Sequence, residues 1–437
     1  MLSALAPLTP FFPGLACVLA FGLVASSARA AEAPSAANRD QPRNQFQLIV
    51  VPTTQYACDD IWNRTPNGRG PAFSAADQVV REQQVHFVVL AVNYAISAEG
   101  QAEVNYRITF RQPNASPGQQ TDLLQLIPRQ SAEDGRLIRK AHQSVGFAAG
   151  KTDPLGEWTA VVEATDVVGR VTARVEKKIT VVGDEQLAAP LPADIEPGRW
   201  MMTYYQKPAP HQLIPVMELL IAKTAADPRA QRLTENGSWL GFFEQVMKDN
   251  PWLLPHVVAR LERAADAERD VIAASLAYAK RDDRAFMKSL STTATSALAP
   301  HQATRWPVPG KEMLQGAQLD VLWGRFFASG RYEPIRELAG VLAYHPYRNA
   351  MEDYKKLTTK PRRPPPEVLK SAVFGALAWS LTSNIQRDKV VRDYCEGILL
   401  RKELSGKEHD LLVAIFNQAL AARKKTAEPT APEAPPR

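Results

Sequence analysis

Near residue 184 the spacing of apolar residues changes period, and nothing else in the chain constrains its fold as strongly. Between Gln45 and Gly183 the apolar positions alternate: Val104, Tyr106, Ile108 and Phe110 point one way, and Asn105, Arg107 and Thr109 the other. Trp158, Ala160, Val162 and Ala164 repeat the pattern, as do Val171, Ala173, Val175, Ile179 and Val181. A period of two belongs to a strand with one face buried. The runs from Phe46 to Val51 and from Val85 to Tyr94 alternate less, as more fully buried strands do. Asp166-Val167-Val168-Gly169 supplies turn chemistry between the last two runs, which makes them a hairpin with the Asp166 side chain capping its turn. Roughly six or seven short strands without a helical stretch predict an all-β sandwich over residues 45–183.

Pro190, Pro192 and Pro197 follow closely on one another, and residues 184–200 read as a stiff linker. Beyond them the period lengthens. Leu213, Met217 and Leu220 share one helical face, as do Trp239, Phe242, Phe243, Val246 and Met247. Leu254, Val257, Val258 and Leu261 follow behind Asn250-Pro251, which reads as an N-cap with proline at the first helical position. Leu319, Leu322, Trp323, Phe326 and Phe327 form a helix stopped by Gly330. Periodic runs over 368–381, 390–399 and 411–420 complete about ten helices, the last opened by a capping box at Ser405–Glu408. Short connections make these antiparallel pairs, so residues 201–423 read as an all-α helical-hairpin array and the whole chain as multidomain.

The N-terminus reads as an address. Phe11 to Ser26 is free of charge, and Ala28-Arg29-Ala30 places small residues as a secretory cleavage site requires. Residues 1–30 are therefore expected to be a signal peptide, residues 31–44 a disordered lead-in and residues 424–437 a disordered tail, the last for want of apolar anchors. The chain is expected to be periplasmic or secreted, touching the membrane only transiently through its signal. Net charge is +6 over 437 residues, and Arg29 is the only charge in the signal, so this is no nucleic-acid footprint. Outside the signal stand two cysteines, Cys58 and Cys395. An oxidising compartment permits them to pair; two unrelated buried thiols are the other reading.

Three stretches carry family resemblances. Gly156 to Asp166 (GEWTAVVEATD), followed by a turn and a closing strand, resembles the end of bacterial immunoglobulin-like domains, which implies a sandwich and no activity. Phe326 to Ile335 (FFASGRYEPI) resembles the turn of a tetratricopeptide repeat, in which Gly330 would end one helix while Tyr332 and Ile335 pack the next. Leu319–Leu342, with Ala378 to Asn384 (AWSLTSN), is similar to an uncharacterised family of exported bacterial helical-repeat proteins. That likeness implies helical hairpins.

The common reactive motifs are missing. No two of the seven histidines stand four residues apart, no cysteine pair has metal-ligand spacing, and neither a phosphate-cradling glycine loop nor a G-x-S-x-G turn is present. No metal or cofactor is expected. Asp59-Asp60 reads as a solvated turn, with a cation site as its alternative. Trp323 and Trp379 fall on apolar faces and read as core. Tyr204-Tyr205 reads as packing at the domain seam or as an exposed platform. The most unusual local feature is Tyr344-His345-Pro346-Tyr347, followed by Lys355, Lys356, Lys360, Arg362, Arg363 and three prolines. A long proline-extended loop carrying five cations suits an anionic partner.

Together these readings point to a non-enzymatic, exported binding or scaffolding protein. Its partner would be a protein or an anionic envelope component, met by Lys355, Lys356, Lys360, Arg362, Arg363, Tyr204, Tyr205, Tyr344 and His345. The alternative is an envelope-glycan hydrolase or transferase with Asp320, Glu312 or His345 in a groove between the halves.

Overall fold

The computed structural model describes residues 45–66, 69–114, 119–131, 138–226, 233–302, 304, 307–310, 312–359, 361 and 363–427. The expected signal peptide and lead-in lie outside the described residues, as do Lys360, Arg362 and the tail from 428.

Strands and helices both contribute, and the chain is a multidomain mixed structure. Nine strands precede thirteen of its fourteen described helices. One sheet pairs β1 (Gln47–Thr53) with β3 (Val85–Val92), which also pairs β6 (Ile138–Lys140) and β7 (Val145–Phe147), all antiparallel. The other runs in the order β2 (Gln78–Val80), β9 (Val171–Val182), β8 (Gly156–Asp166), β4 (Gln101–Arg111), β5 (Leu124–Ser131), with β2 parallel to β9. Alternation explains the register: Val162 stands opposite both Ile108 and Val175. Inward residues of both sheets, among them Val50, Phe87, Ile108 and Val162, form one apolar cluster. Each such side chain taken from water contributes roughly 1.5–3 kcal/mol. The expected hairpin is β8–β9, and Asp166 accepts from the Gly169 N–H at 2.9 Å while also accepting from Ala95 N at 2.6 Å.

The N-terminal half is not purely β. Residues 58–64, where Asp59-Asp60 read as a solvated turn, form helix α1 (Cys58–Arg64). The helix leaves its own sheets. Ala57 and Ile61 are buried in the apolar cluster of the helical half, while Asp59 bonds back to Lys140 at 2.7 Å. Asp60 accepts from the Tyr332 N–H at 3.2 Å, satisfying one of the orphan donors at the start of α10 (Tyr332–Gly340). Further ties cross the same seam. Tyr56 donates to Asn250 at 2.8 Å, Gln83 to the Pro208 carbonyl at 3.3 Å, and Arg64 pairs with Glu403 at 2.7 Å. Asn250 is thus not the helix cap its sequence suggests; its amide donates back to the Val246 carbonyl, and a 3-10 turn over Pro251–Leu253 intervenes.

The helical half comprises α2 (Pro197–Thr203), α3 (Leu213–Ala226), α4 (Gly237–Asp249), α5 (Leu254–Arg263), α6 (Asp266–Ala279), α7 (Arg284–Ser289), α8 (Thr292–Gln302), α9 (Gly316–Ser329), α10, α11 (Ala350–Lys356), α12 (Pro366–Arg387), α13 (Lys389–Leu400) and α14 (Gly406–Ala427). Thirteen described helices, α2 to α14, stand where the periodicity suggested about ten, because α2, α7 and α11 are too short to show a period. α14 runs on into the expected tail, to Ala427. At the centre α4 and α9 press together backbone to backbone. A Cβ at Gly241 would collide with the Val321 carbonyl, and one at Gly324 with the Ser238 carbonyl. Around this contact Trp239, Phe242, Phe243, Leu322, Trp323 and Phe326 are buried. Trp379 is not core as its helical face suggested; it is 48% exposed on α12.

Candidate functional site

The residues expected to meet a partner are scattered. Lys355 and Lys356 close the last turn of α11, where each pairs one turn back, with Glu352 at 2.9 Å and Asp353 at 3.1 Å. Their charge is partly cancelled on their own helix. Arg363 is exposed beyond it. Tyr344 accepts from the Met313 N–H at 2.8 Å, and Lys370, held by Glu312 at 2.7 Å, lies over the Tyr344 and Tyr347 rings at 5.6 and 5.1 Å. The Nδ1 of His345 is buried without a hydrogen-bond partner among the described residues. Tyr204 and Tyr205 are 2% and 1% exposed, so neither is a platform. Tyr204 packs edge-on against Trp200 and Phe242.

Cys58 and Cys395 are both free and buried, in different apolar clusters, so the bridge weighed from sequence is not formed. Burial pushes the Cys58 thiol up to about 11 and the Cys395 thiol up to about 12, so neither is a nucleophile at neutral pH. Of the residues weighed for glycan chemistry, Glu312 is neutralised by Lys370, and Asp320 makes no hydrogen bond or ion pair among the described residues. Burial pushes the Asp320 carboxyl up to about 6. Among the described residues, no three His, Cys, Asp or Glu side chains gather as a metal site, and no helix is long and apolar enough to cross a membrane.

A cleft of about 850 Å³ opens elsewhere. One wall is the segment read as a linker. Leaving β9, the chain makes a 3-10 turn over Asp184–Ala188 and then runs as a strap from Ala189 to Ile195. Both ends are tied: the Gly183 N–H donates to Glu185 at 3.0 Å, and Glu196 caps α2 by accepting from the Gly198 and Arg199 N–H groups at 3.0 and 2.5 Å. Leu187 packs against the helical core. Leu191, Pro192 and Ile195 face the cleft from the strap; Ile214, Pro215 and Leu219 face it from α3.

The third wall, α5, brings charge. His256, Arg260 and Arg263 lie on one stripe of that helix and line the cleft together with Lys223 and Glu218 of α3. Arg260 is committed, bonding Glu218 at 2.6 Å and Glu268 at 2.7 Å. Among the described residues Arg263 spends only its Nε, on the Ala259 carbonyl at 3.0 Å. Lys223 has no ion pair among the described residues. The cleft therefore combines an apolar body with uncompensated cations, which suits binding better than bond-breaking. Sequence reasoning passed over it, although the spacing of His256, Arg260 and Arg263 at one, five and eight in a helix was a legible sign. A second recess of about 130 Å³ beside Trp62 and His142 is small, and its Lys140 is already held by Asp59.

No family model and no curated protein matches the chain. Among solved structures it is similar to a family 76 glycoside hydrolase from a bovine Bacteroides thetaiotaomicron strain, at 8% identity over 80% of this chain and 76% of that one, with a TM-score of 0.18. It is also similar to a chain described as pT26-6p, at 10% identity over 86% of this chain and 49% of that one, with a TM-score of 0.14. The chain spans about half the length of the latter, and at these TM-scores neither likeness carries an argument.

Proposed function

We propose that this chain is an exported, periplasmic or secreted binding protein that works without catalysis, and that its binding site is the cleft beneath the strap. One observation carries the reading: a cleft of about 850 Å³ with apolar walls, whose cations outnumber the single acid, Glu218, that lines it among the described residues. Such a volume lies within the roughly 300–1,000 Å³ of small-ligand sites, and a few placed polar groups on apolar walls are their usual make-up. The N-terminal half is an immunoglobulin-like sandwich that acts as a mount. Two sheets around one apolar cluster and the closing β8–β9 hairpin support that reading. The ties across the seam hold the mount against the helical half. The uncharged stretch before Ala30 supports export.

Two measurements test this. Intact mass of the exported chain is expected to show loss of residues 1–30. A photo-crosslinker at Leu191, which lines the cleft, is expected to form an adduct in the exported fraction that the same group at Leu400, 67% exposed, does not form. Equal yields at the two positions, or none at Leu191, refute the site.

A further inference from the structure

We infer that the cleft takes an anionic amphiphile: an alkyl body on the strap and helix walls, ending in a carboxylate, sulfate or phosphate held by Lys223 and Arg263. The inference rests on the binding reading above and names its ligand class.

The walls favour hydrocarbon over peptide. α3 and α5 spend their interior backbone groups on their own helical bonds, and Pro190 and Pro192 leave the strap without two of its N–H donors. An extended peptide brings an amide N–H and a carbonyl for every residue and would find few partners here. An alkyl chain brings none, and each methylene it buries contributes about 0.8 kcal/mol without demanding geometry. Leu191, Ile195, Ile214 and Leu219 offer the matching surface.

The cations favour an anion. Glu218 is engaged by Arg260, and Glu262, next to Arg263 in sequence, is engaged by the Ser291 hydroxyl. The Arg263 terminal N–H groups make no bond among the described residues, and the Lys223 ammonium has no partner there. Both lie where a ligand in the cleft reaches them. Charge-assisted hydrogen bonds are the stronger kind, and a carboxylate, sulfate or phosphate head offers several acceptor oxygens.

Calorimetric titration of the full exported chain with laurate, below its micelle concentration, tests this directly. Laurate is expected to bind about tenfold more tightly than 1-dodecanol, which has the same chain and no charge. Lys223→Gln with Arg263→Gln is expected to erase that difference and leave dodecanol unchanged. Ala259→Phe, which narrows the cleft and keeps it apolar, is expected to weaken both ligands. Melting curves of the variants separate lost folding from lost binding. Dodecanol matching laurate in the unaltered protein, or laurate indifferent to the paired substitution, overturns the inference. Sedimentation with phosphatidylglycerol vesicles distinguishes the source. Retention lost in the paired variant places the head on a bilayer lipid, while binding of laurate alone places it on a free molecule. Failure of both ligands beside a Leu191 adduct removes this inference and leaves the binding reading; failure of all three removes both.

Discussion

The Tyr205 hydroxyl lies 2.8 Å from each carboxylate oxygen of Asp388, a forked hydrogen bond that joins the entrance of the helical half to the start of α13. Asp388 also caps α13, accepting from the Val390 and Val391 N–H groups at 2.8 and 3.2 Å. Burial raises its carboxyl, and these three donors oppose that rise. Tyr205→Phe removes one donor from a buried charge and is expected to cost about 1.5–3 kcal/mol in urea unfolding. Asp388→Asn keeps an acceptor for the cap and gives up the charge, so it is expected to cost less than Asp388→Ala. Equal midpoints for Tyr205→Phe and the unaltered protein would show that the bond is spare.

Gly241 and Gly324 carry the α4–α9 contact. A methyl group at either meets backbone carbonyl rather than a flexible side-chain end, so the helices have to separate to admit it. Overpacking of this kind costs about 1–3 kcal/mol, and here it also loosens the packing of Trp239 and Phe326. Gly241→Ala and Gly324→Ala are each expected to lower the melting temperature, against the small gain that Ala brings to an exposed helix. A rise in melting temperature would mean that the two backbones are not in contact.

Ile61 carries the β half into the apolar core of the helical half. It comes from the β half, is 1% exposed, and belongs to the apolar cluster of the helical half. Ile61→Ala is expected to cost about 2–5 kcal/mol through lost burial and the cavity left behind. The unaltered protein is expected to unfold in one calorimetric transition, with Ile61→Ala lowering it for both halves. Two resolved transitions, only one of them moved, would show that α1 does not couple the halves.

α1 also marks where sequence reading gave out. Features written in local spacing were legible: Ile108 and Val162 each sit in an alternating run because their sheet has one wet face, and Gly330, at φ 69°, ends α9 where it was expected to. Ala57, Ile61 and Asp60 find their partners some two to three hundred residues away, and nothing local in CDDIWNR says so. Trp379 sits on a face that looks apolar, but burial depends on which helix covers that face. The cleft failed for the same reason. Lys223 and Arg263 sit on separate helices and the strap reads as a spacer, so only the folded chain brings the three walls together. In the basic loop the run of cations stands out in the sequence, while the pairing of Lys355 and Lys356 with Glu352 and Asp353 one turn back shows only in the folded helix.

Asp320 provides a test by pH. Its Cβ lies where a side chain at Gly237 would meet it, and its carboxyl finds no partner among the described residues, so burial alone pushes it up to about 6, above the roughly 3.9 of an unfolded aspartate. A raised carboxyl means that the folded state holds its proton over a window in which the unfolded chain has released it. Below about pH 4 both states are protonated and the group is neutral in its effect; between about 4 and 6 stability falls as pH rises; above 6 the folded state carries an uncompensated charge. Asp320→Asn removes that charge and keeps the shape. It is expected to unfold at the same urea concentration as the unaltered protein near pH 3.5 and at a higher one at pH 7.5. A variant less stable at pH 7.5 would mean that the carboxylate has a partner, and an offset equal at both pH values would mean that burial does not raise its pKa.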